Sequence, residues 1–373
     1  MKISVLVYDL STNSIVRTYP IVRVLQRRHE VEVIGPVFGE GVFPPYAGEF
    51  DYRTVRGRSM PLFALPCREM LRKITGDVVY AFKPKATSYG VGFLKKVMDR
   101  KPVVLDVEDW EISSWYHPYS RRSFVLSMLS LWKPNSLQYL LLMHFLAKLA
   151  DDVTVVSSFL QKRYGGSILP HGADTGYFDP ARYDREEMRS KLGIGDGKII
   201  LFSGTARPMK GIEHILEALR MAGRDDIRLL MVGDIGGGYL RSLQGKYGSM
   251  LMHAGKRPHS EMPSFLAAAD MVVLPQRRTP YNEAQVPGKI FEALAMGKPV
   301  IGSSVSDIPG ILDECGIVVE PDDTRALAEA IMHVAGNDGE ARRMGAKARK
   351  KCVSHYSWDA MERILAEVFG KFE

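Results

Sequence analysis

Short apolar runs rich in β-branched residues alternate along the chain with stretches of helical period. The first half carries ISVLVYDL at 3–10, a helical pattern at 17–28, and then VEVIG, DVVYA, PVVLDVE and VTVVS. This alternation predicts an α/β unit. A polar connection rich in Gly, Asp and Arg follows at 172–197, and the alternation restarts with KIILFSG, a helix at 211–222, IRLLMVG, MVVLP, PVIGSS and GIVVE. The apolar runs lack strict in-out alternation, as expected of parallel strands covered by helices on both faces. The expected architecture is α/β, with two doubly wound sheets facing one another. Ligands of such sheets sit beyond the carboxyl ends of the strands, so the loops there are where chemistry is sought.

A chain of 373 residues suits two domains, at about one per 100 to 200 residues. Apolar residues make up 46% and charged residues 25%, a mixture that excludes a disordered or fibrous chain. Cys67, Cys315 and Cys352 are too few and too scattered for a disulfide framework or a metal knuckle, which points to a reducing, cytoplasmic compartment. MKISVLVYDL lacks a small-residue cleavage site and reads as a first strand, not a signal peptide. The net charge of +7 favours anionic partners. Nucleic acid is not expected, because the basic residues are dispersed and no aromatic-basic recognition motif accompanies them.

The loop after KIILFSG reads GTARPMKG and leads into a helix, placing Arg207 and Lys210 beside a helix start where a diphosphate would be met by cations. IRLLMVG ends in Gly233, followed by Asp234 and the run Gly236, Gly237 and Gly238, which allows close backbone approach to a ligand and equally describes a plain turn. In VPGKIFEALAMGKPVIGSS, Pro287 and Gly288 precede a helix that Gly297 closes. Lys289 and Glu292 are three apart, a spacing that permits an intrahelical ion pair; the other reading has the Glu292 carboxylate accept hydrogen bonds from ribose hydroxyls. At the end of PVVLDVE, Asp106, Glu108, Asp109 and Trp110 cluster, with His117 downstream. These acids suit substrate positioning or proton handling better than a metal, since no second acidic cluster offers convergent ligands. Residues 121–133 mix Arg121, Arg122, Phe124, Leu131, Trp132 and Lys133, a composition suited to docking on an anionic membrane surface. The apolar stretch that follows, up to 149, is expected to form core helices, and neither part is long enough to span a bilayer.

Taken in order, several segments resemble the retaining glycosyltransferases of family 4, across nearly the whole chain. ADDVTVVSSFLQKRY with LPHGADTGYFDP resembles the passage from the first domain into the linker, with His171 and Ala173 in place of the usual Asn and Val. SGTARPMKGIEHILEAL resembles the diphosphate-binding loop, GKRPHSEMPSFLAAADMVVLP the core of the donor domain, and PGKIFEALAMGKPVIGS the donor-site helix. YSWDAMERILAEVF resembles the closing helix.

The resemblance implies the GT-B fold: a Rossmann-like acceptor domain at 1–171, a linker at 172–197, a Rossmann-like nucleotide-sugar domain at 198–354 and a helix at 355–373 packing back on the first domain. It implies that Lys210 binds the donor phosphates and Glu292 the ribose. The family's phosphate arginine falls five or six residues before the lysine, at Thr205 or Gly204 here, so Arg207 is a displaced substitute. The first glutamate of the family's pair falls at Ala284, with Glu283 one position off register. The donor side thus comprises Gly204, Thr205, Arg207, Lys210, Gly233, Asp234, Ala284, Gln285, Val286, Pro287, Gly288, Lys289 and Glu292. The family's acceptor-facing histidine aligns with Glu108, which with Asp109, Arg207 and Lys210 makes the catalytic set. DLSTNSIVR replaces a glycine-rich loop, so Ser11, Asn13, Ser14 and Arg17 join Trp110 and His117 on the acceptor side.

The implied activity is retaining transfer of a sugar from a UDP- or GDP-sugar to a hydroxyl of a glycan or lipid-linked acceptor, with no cofactor and no metal. The implied setting is the cytoplasm, with peripheral attachment to the inner face of the plasma membrane. A nucleotide-sugar epimerase or hydrolase on the same fold and a non-catalytic nucleotide-sugar-binding protein are the alternatives.

Overall fold

A computed structural model of the protein describes residues 1–115, 130–234 and 238–373. The chain divides into two compact units, Met1–His171 with Met361–Glu373, and Gly172–Ala360.

The first unit is built on seven parallel strands: β1 (Lys2–Leu6), β2 (Glu30–Val37), β3 (Tyr52–Arg56), β4 (Val78–Phe82), β5 (Val103–Val107), β6 (Asp152–Val155) and β7 (Ser167–Ile168). Their order is β3-β2-β1-β4-β5-β6-β7, so chain order reverses between β1 and β4. β4 and β5 are buried along their whole length, which explains their unbroken apolar character. The edge strand β3 (YRTVR) and the two-residue β7 carry no such run and escape the pattern-based reading.

At the centre of this unit an ion pair is buried. The helix Ile15–Leu25 presents Arg17, 1% exposed, to Asp106 on β5. The guanidinium donates to both carboxylate oxygens at 2.9 and 3.2 Å and to the carbonyls of Leu169 and Pro170. Thr154 and Tyr80 complete the carboxylate's shell, so both charges are satisfied. Residues Met361–Glu373 return to this unit, where Glu362 meets Arg27 and Arg28, and the Phe369 ring stands edge-on to Tyr80 at 5.3 Å.

The second unit has six parallel strands: β8 (Lys198–Ser203), β9 (Ile227–Val232), β10 (Leu251–His253), β11 (Met271–Leu274), β12 (Val300–Ser303) and β13 (Ile317–Val319). Their order is β10-β9-β8-β11-β12-β13, with the reversal between β8 and β11. The helix Ile212–Ala222 shows the packing that holds the sheet. Ile212, Ile215, Leu216 and Leu219 are fully buried, while Arg220 points to solvent. Each such side chain contributes about 1.5–3 kcal/mol of burial, which makes this helix a firm support for the loop that precedes it.

Candidate functional site

In the second unit the loop leaving β8 is fastened to the end of β9: Gly204 N–H donates to Val232 O at 2.7 Å and Ala206 N–H to Asp234 O. Gly233 adopts φ +150, and a Cβ there would run into the Gly204 carbonyl, so glycine is what permits the two strand ends to close up. Asp234 is exposed, and Gly236 and Gly237 lie outside the described residues. Beyond Gly204 the chain is extended to Arg207, makes a 3₁₀ turn over Pro208–Lys210 and enters the helix Ile212–Ala222. Thr205 and Arg207 are exposed and Lys210 is half-buried. The turn is clipped from the other side by Asn282, fully buried, whose amide donates to the carbonyls of Met209 and Arg277. Asn282 carries no distinguishing signal in the sequence, because its partner Met209 is brought to it only by the fold.

The segment from 279 to 292 forms the opposite wall. Thr279 caps the short helix Pro280–Ala284. Ala284, expected on the donor side, has its methyl fully buried, and Val286 also packs inward at 2% exposure, so both side chains serve packing. Glu283 does not stand in for the missing glutamate. Its carboxylate accepts from the Ser306 N–H at 3.0 Å and pairs with Arg278, holding the loop after β12. Gln285, Pro287 and Gly288 are half-buried along the way to Lys289.

Lys289 and Glu292 do not pair with each other. Lys289 reaches beneath the end of β8 and donates to the Ser203 carbonyl, with its amine 4.3 Å from the centre of the Phe202 ring. Burial first, and then the charge of Lys210, lower its pKa from 10.5 to about 7. Glu292 instead accepts from His259 Nε2 at 2.8 Å, a contact that raises the histidine's pKa. The imidazole is backed by the Phe178 ring at 5.6 Å. In the sequence His259 is only one residue of the segment that resembles the donor-domain core. Its position in a 3₁₀ turn after β10 is what brings it to Glu292, and no spacing rule foretells that. The end of β8, the turn at Lys210, Lys289 and the His259–Glu292 pair thus lie beyond the carboxyl ends of this sheet's strands, with cations at one end and a carboxylate at the other.

In the first unit the acids after β5 are confined by lysines. Lys83, in the left-handed region at φ +67, lies against Asp109 and within 3.3 and 3.4 Å of Glu108 and Glu111. Burial disfavours its charge, but the three carboxylates outweigh that and hold its pKa well above 10.5. Lys85 pairs with Glu111 at 3.2 Å and sits 4.1 Å above the Tyr8 ring. Because Tyr8 follows β1 and Lys83 follows β4, the cluster marks the point where strand order reverses. Neither lysine was foreseen, since FKPK after an apolar run is an ordinary strand exit. Burial raises the pKa of Glu108 and lowers that of His171 to about 3, with Arg17 and Lys83 adding to the latter shift. Trp110 lies in an aromatic cluster with Phe159, under the guanidinium of Arg163.

The acceptor-side expectations need correction. Arg17, expected on the acceptor side, is instead sealed in its pair with Asp106. Ser14 is buried and donates to the Asp9 carbonyl, while Ser11 donates to the Asp9 carboxylate at 2.6 Å and accepts from Gly39 N–H; both fold their own loop. Asn13 is exposed. His117, Arg121, Arg122 and Phe124 lie outside the described residues.

The apolar stretch up to 149 does not form core helices throughout. The helix Leu137–Leu146 buries Leu137, Leu140 and Met143 but leaves Leu141, Leu142 and Phe145 exposed, Phe145 to 67%. Its only polar side chains apart from the Tyr139 hydroxyl are Gln138 and His144, so much of its exposed surface is apolar. Leu131, Trp132 and Leu149 are exposed near it, the Leu131 carbonyl accepting from Tyr139 on the helix. From Ile112 to Ala150 the sequence has no aspartate or glutamate. Among the described residues no helix is long and apolar enough to cross a membrane, and no group of three His, Cys, Asp or Glu side chains is placed to hold a metal ion.

Residues 184–351 match the family model described as glycosyl transferases group 1. The chain is 29% identical over 240 residues to the GDP-mannose-dependent alpha-(1-6)-phosphatidylinositol monomannoside mannosyltransferase of Mycolicibacterium smegmatis, a match covering 59% of this chain and 62% of that protein. It is 30% identical over 190 residues to the putative teichuronic acid biosynthesis glycosyltransferase TuaC of Bacillus subtilis, covering 49% of this chain and 46% of the relative. The chain thus spans less than two thirds of the length of the curated relatives it matches. In three dimensions it is similar to the Anabaena protein HepE in complex with UDP-glucose, with a TM-score of 0.76, 18% identity and 100% of both chains covered. With its two parallel sheets flanked by helices, the chain has the GT-B fold.

Proposed function

We propose that the protein is a retaining glycosyltransferase, a member of family 4, that moves a sugar from a nucleotide-diphosphate sugar to a hydroxyl of a glycan or lipid-linked acceptor. The observation that carries this reading is the carboxyl end of the second sheet, where Lys210 and Lys289 stand near the end of β8 and the His259–Glu292 pair stands one helical turn away. That spacing of cations and carboxylate suits a ligand with a diphosphate at one end and a ribose at the other. Lys210 and Arg207 meet the phosphates, and Glu292, held on one oxygen by His259, offers the other to the ribose hydroxyls. GDP-mannose is the donor of the mycobacterial relative and UDP-glucose the ligand of HepE, so guanosine and uridine diphosphate sugars are the two donors to try first.

The cations also supply the catalysis. As the bond from the sugar to the diphosphate breaks, negative charge grows on the leaving oxygen, and fixed positive groups beside it lower the barrier without reorganising. The leaving oxygen takes the proton of the acceptor hydroxyl, so no separate base and no metal are required. On the acceptor side the Lys83, Glu108 and Asp109 cluster offers hydrogen-bond groups to a polyhydroxylated acceptor at the reversal point of the first sheet.

A lipid-linked acceptor places the enzyme at the inner face of the plasma membrane. The exposed Leu142, Phe145 and Leu149, with Lys133 and Lys148 in the same stretch of sequence and no acids in it, suit an anionic lipid surface. The decisive experiment is thermal unfolding against UDP, GDP and their sugar conjugates, followed by transfer assays with the stabilising donor. Stabilisation by a nucleotide sugar with product formed only when acceptor is present supports the reading. Free nucleotide or a changed sugar formed without acceptor would replace it with a hydrolase or epimerase, and binding without any turnover with a binding protein.

A further inference from the structure

Lys289 opens the helix Lys289–Ala295 and turns back beneath the end of β8. The backbone it lies against is glycine: φ at Gly204 is +120, and a Cβ there would stand 2.8 Å from the lysine Nζ. The amine has three donors when charged, and the Ser203 carbonyl accepts one. Among the described residues it forms no ion pair. An ammonium largely withdrawn from water with a single carbonyl for partner is costly, and such a group sheds its proton unless an anion joins it. Burial and then Lys210 bring its pKa to about 7, against a weaker pull from Glu292. The charged groups facing it are Lys210 on the turn after β8, Glu292 on its own helix and His259, which holds Glu292.

We propose that Lys289 binds the diphosphate of a nucleoside diphosphate ligand and takes up a proton from solvent as that ligand arrives. The amine lone pair forms the new N–H bond, and no other bond changes. The inference rests on the donor-site reading above and adds to it a residue and a pH dependence. A group whose pKa rises on binding gives an affinity that is level below the free pKa and falls as pH climbs through it, by at most about tenfold per pH unit. The terminal phosphate of the ligand ionises near pH 6, so above pH 7 its own titration no longer contributes.

The test is calorimetric titration of the full chain with UDP and with GDP at pH 8, in two buffers of different ionisation heat, repeated from pH 7 to 9. The expected result is net uptake of roughly half to one proton per nucleotide bound. In Lys289→Met the uptake is lost and affinity at pH 7 falls several-fold, while Lys289→Arg binds with no pH dependence over this range. His259→Gln keeps the uptake. Nucleotide binding by the wild type without proton uptake, or uptake that persists in Lys289→Met, overturns the inference and leaves the donor site standing. If neither nucleotide binds at any pH, both readings are overturned.

Discussion

His259 Nε2 and Glu292 Oε1 lie 2.8 Å apart, which fixes the carboxylate from a different element and leaves its second oxygen for a ligand. Glu292→Ala is expected to weaken UDP or GDP binding by about tenfold or more, the effect of losing a hydrogen bond to a charged group worth about 1.5–3 kcal/mol. His259→Ala is expected to cost only a few-fold in affinity, and well under about 1 kcal/mol in stability, because the histidine is exposed and its pair screened. Glu292 raises the histidine's pKa above 6.5, so the pair's contribution to stability is complete below that value and is lost as pH rises through the raised one. Thermal unfolding of wild type and His259→Ala at pH 6 and pH 9 checks the sign: the variant's deficit should shrink at the higher pH.

Lys210→Ala should reduce donor affinity or turnover by about 10- to 100-fold, since a charge-assisted contact to phosphate is removed from a turn held rigid by Asn282. Arg207 is exposed and extended, so Arg207→Ala should cost less than Lys210→Ala. Steady-state transfer kinetics with both variants decide the order. Equal and wild-type rates would remove these residues from the donor site.

How much of this was legible in the sequence depends on what the pattern encodes. Buried parallel strands declare themselves as apolar runs, and so β4, β5, β8 and β9 were read, whereas β3 is interrupted by Arg53 and Arg56 and β7 and β10 are too short to show a period. Lys210 and Glu292 were legible because local motifs carry them. His259, Asn282 and Lys83 were not, because their partners come from distant segments that only the fold assembles. Arg17 goes to the acceptor side in the sequence for the same reason: an arginine in the loop after the first strand looks available to a ligand, and only the fold brings Asp106 to it.

Breaking the buried Arg17–Asp106 pair should be strongly destabilising. Arg17→Met leaves a carboxylate in the core with only Thr154 and Tyr80 as donors, and the expected loss is about 3–5 kcal/mol. The double change Arg17→Met with Asp106→Leu should be milder than Arg17→Met alone, because no uncompensated charge remains. Urea unfolding gives both numbers, and a single-variant loss below about 1 kcal/mol would show that the pair is not sealed from water.

The exposed face of the helix Leu137–Leu146 yields a prediction about membranes that does not depend on activity. Leu142, Phe145 and Leu149 bury little in their own unit, so changing all three to Gln should leave thermal stability within about 1 kcal/mol. Seated at a lipid interface, each would bury apolar area worth about 1–3 kcal/mol, and the triple variant should then partition onto vesicles at least about tenfold less than wild type. Lys133 and Lys148 add attraction of about 1 kcal/mol each to anionic headgroups, an effect that salt screens. Co-sedimentation with phosphatidylglycerol and with phosphatidylcholine vesicles, at low and high salt, separates the two contributions. A companion variant with Leu131 and Trp132 made polar tests the neighbouring segment. If wild type, triple variant and companion all partition alike onto anionic vesicles at low salt, the apolar face serves some purpose other than lipid docking.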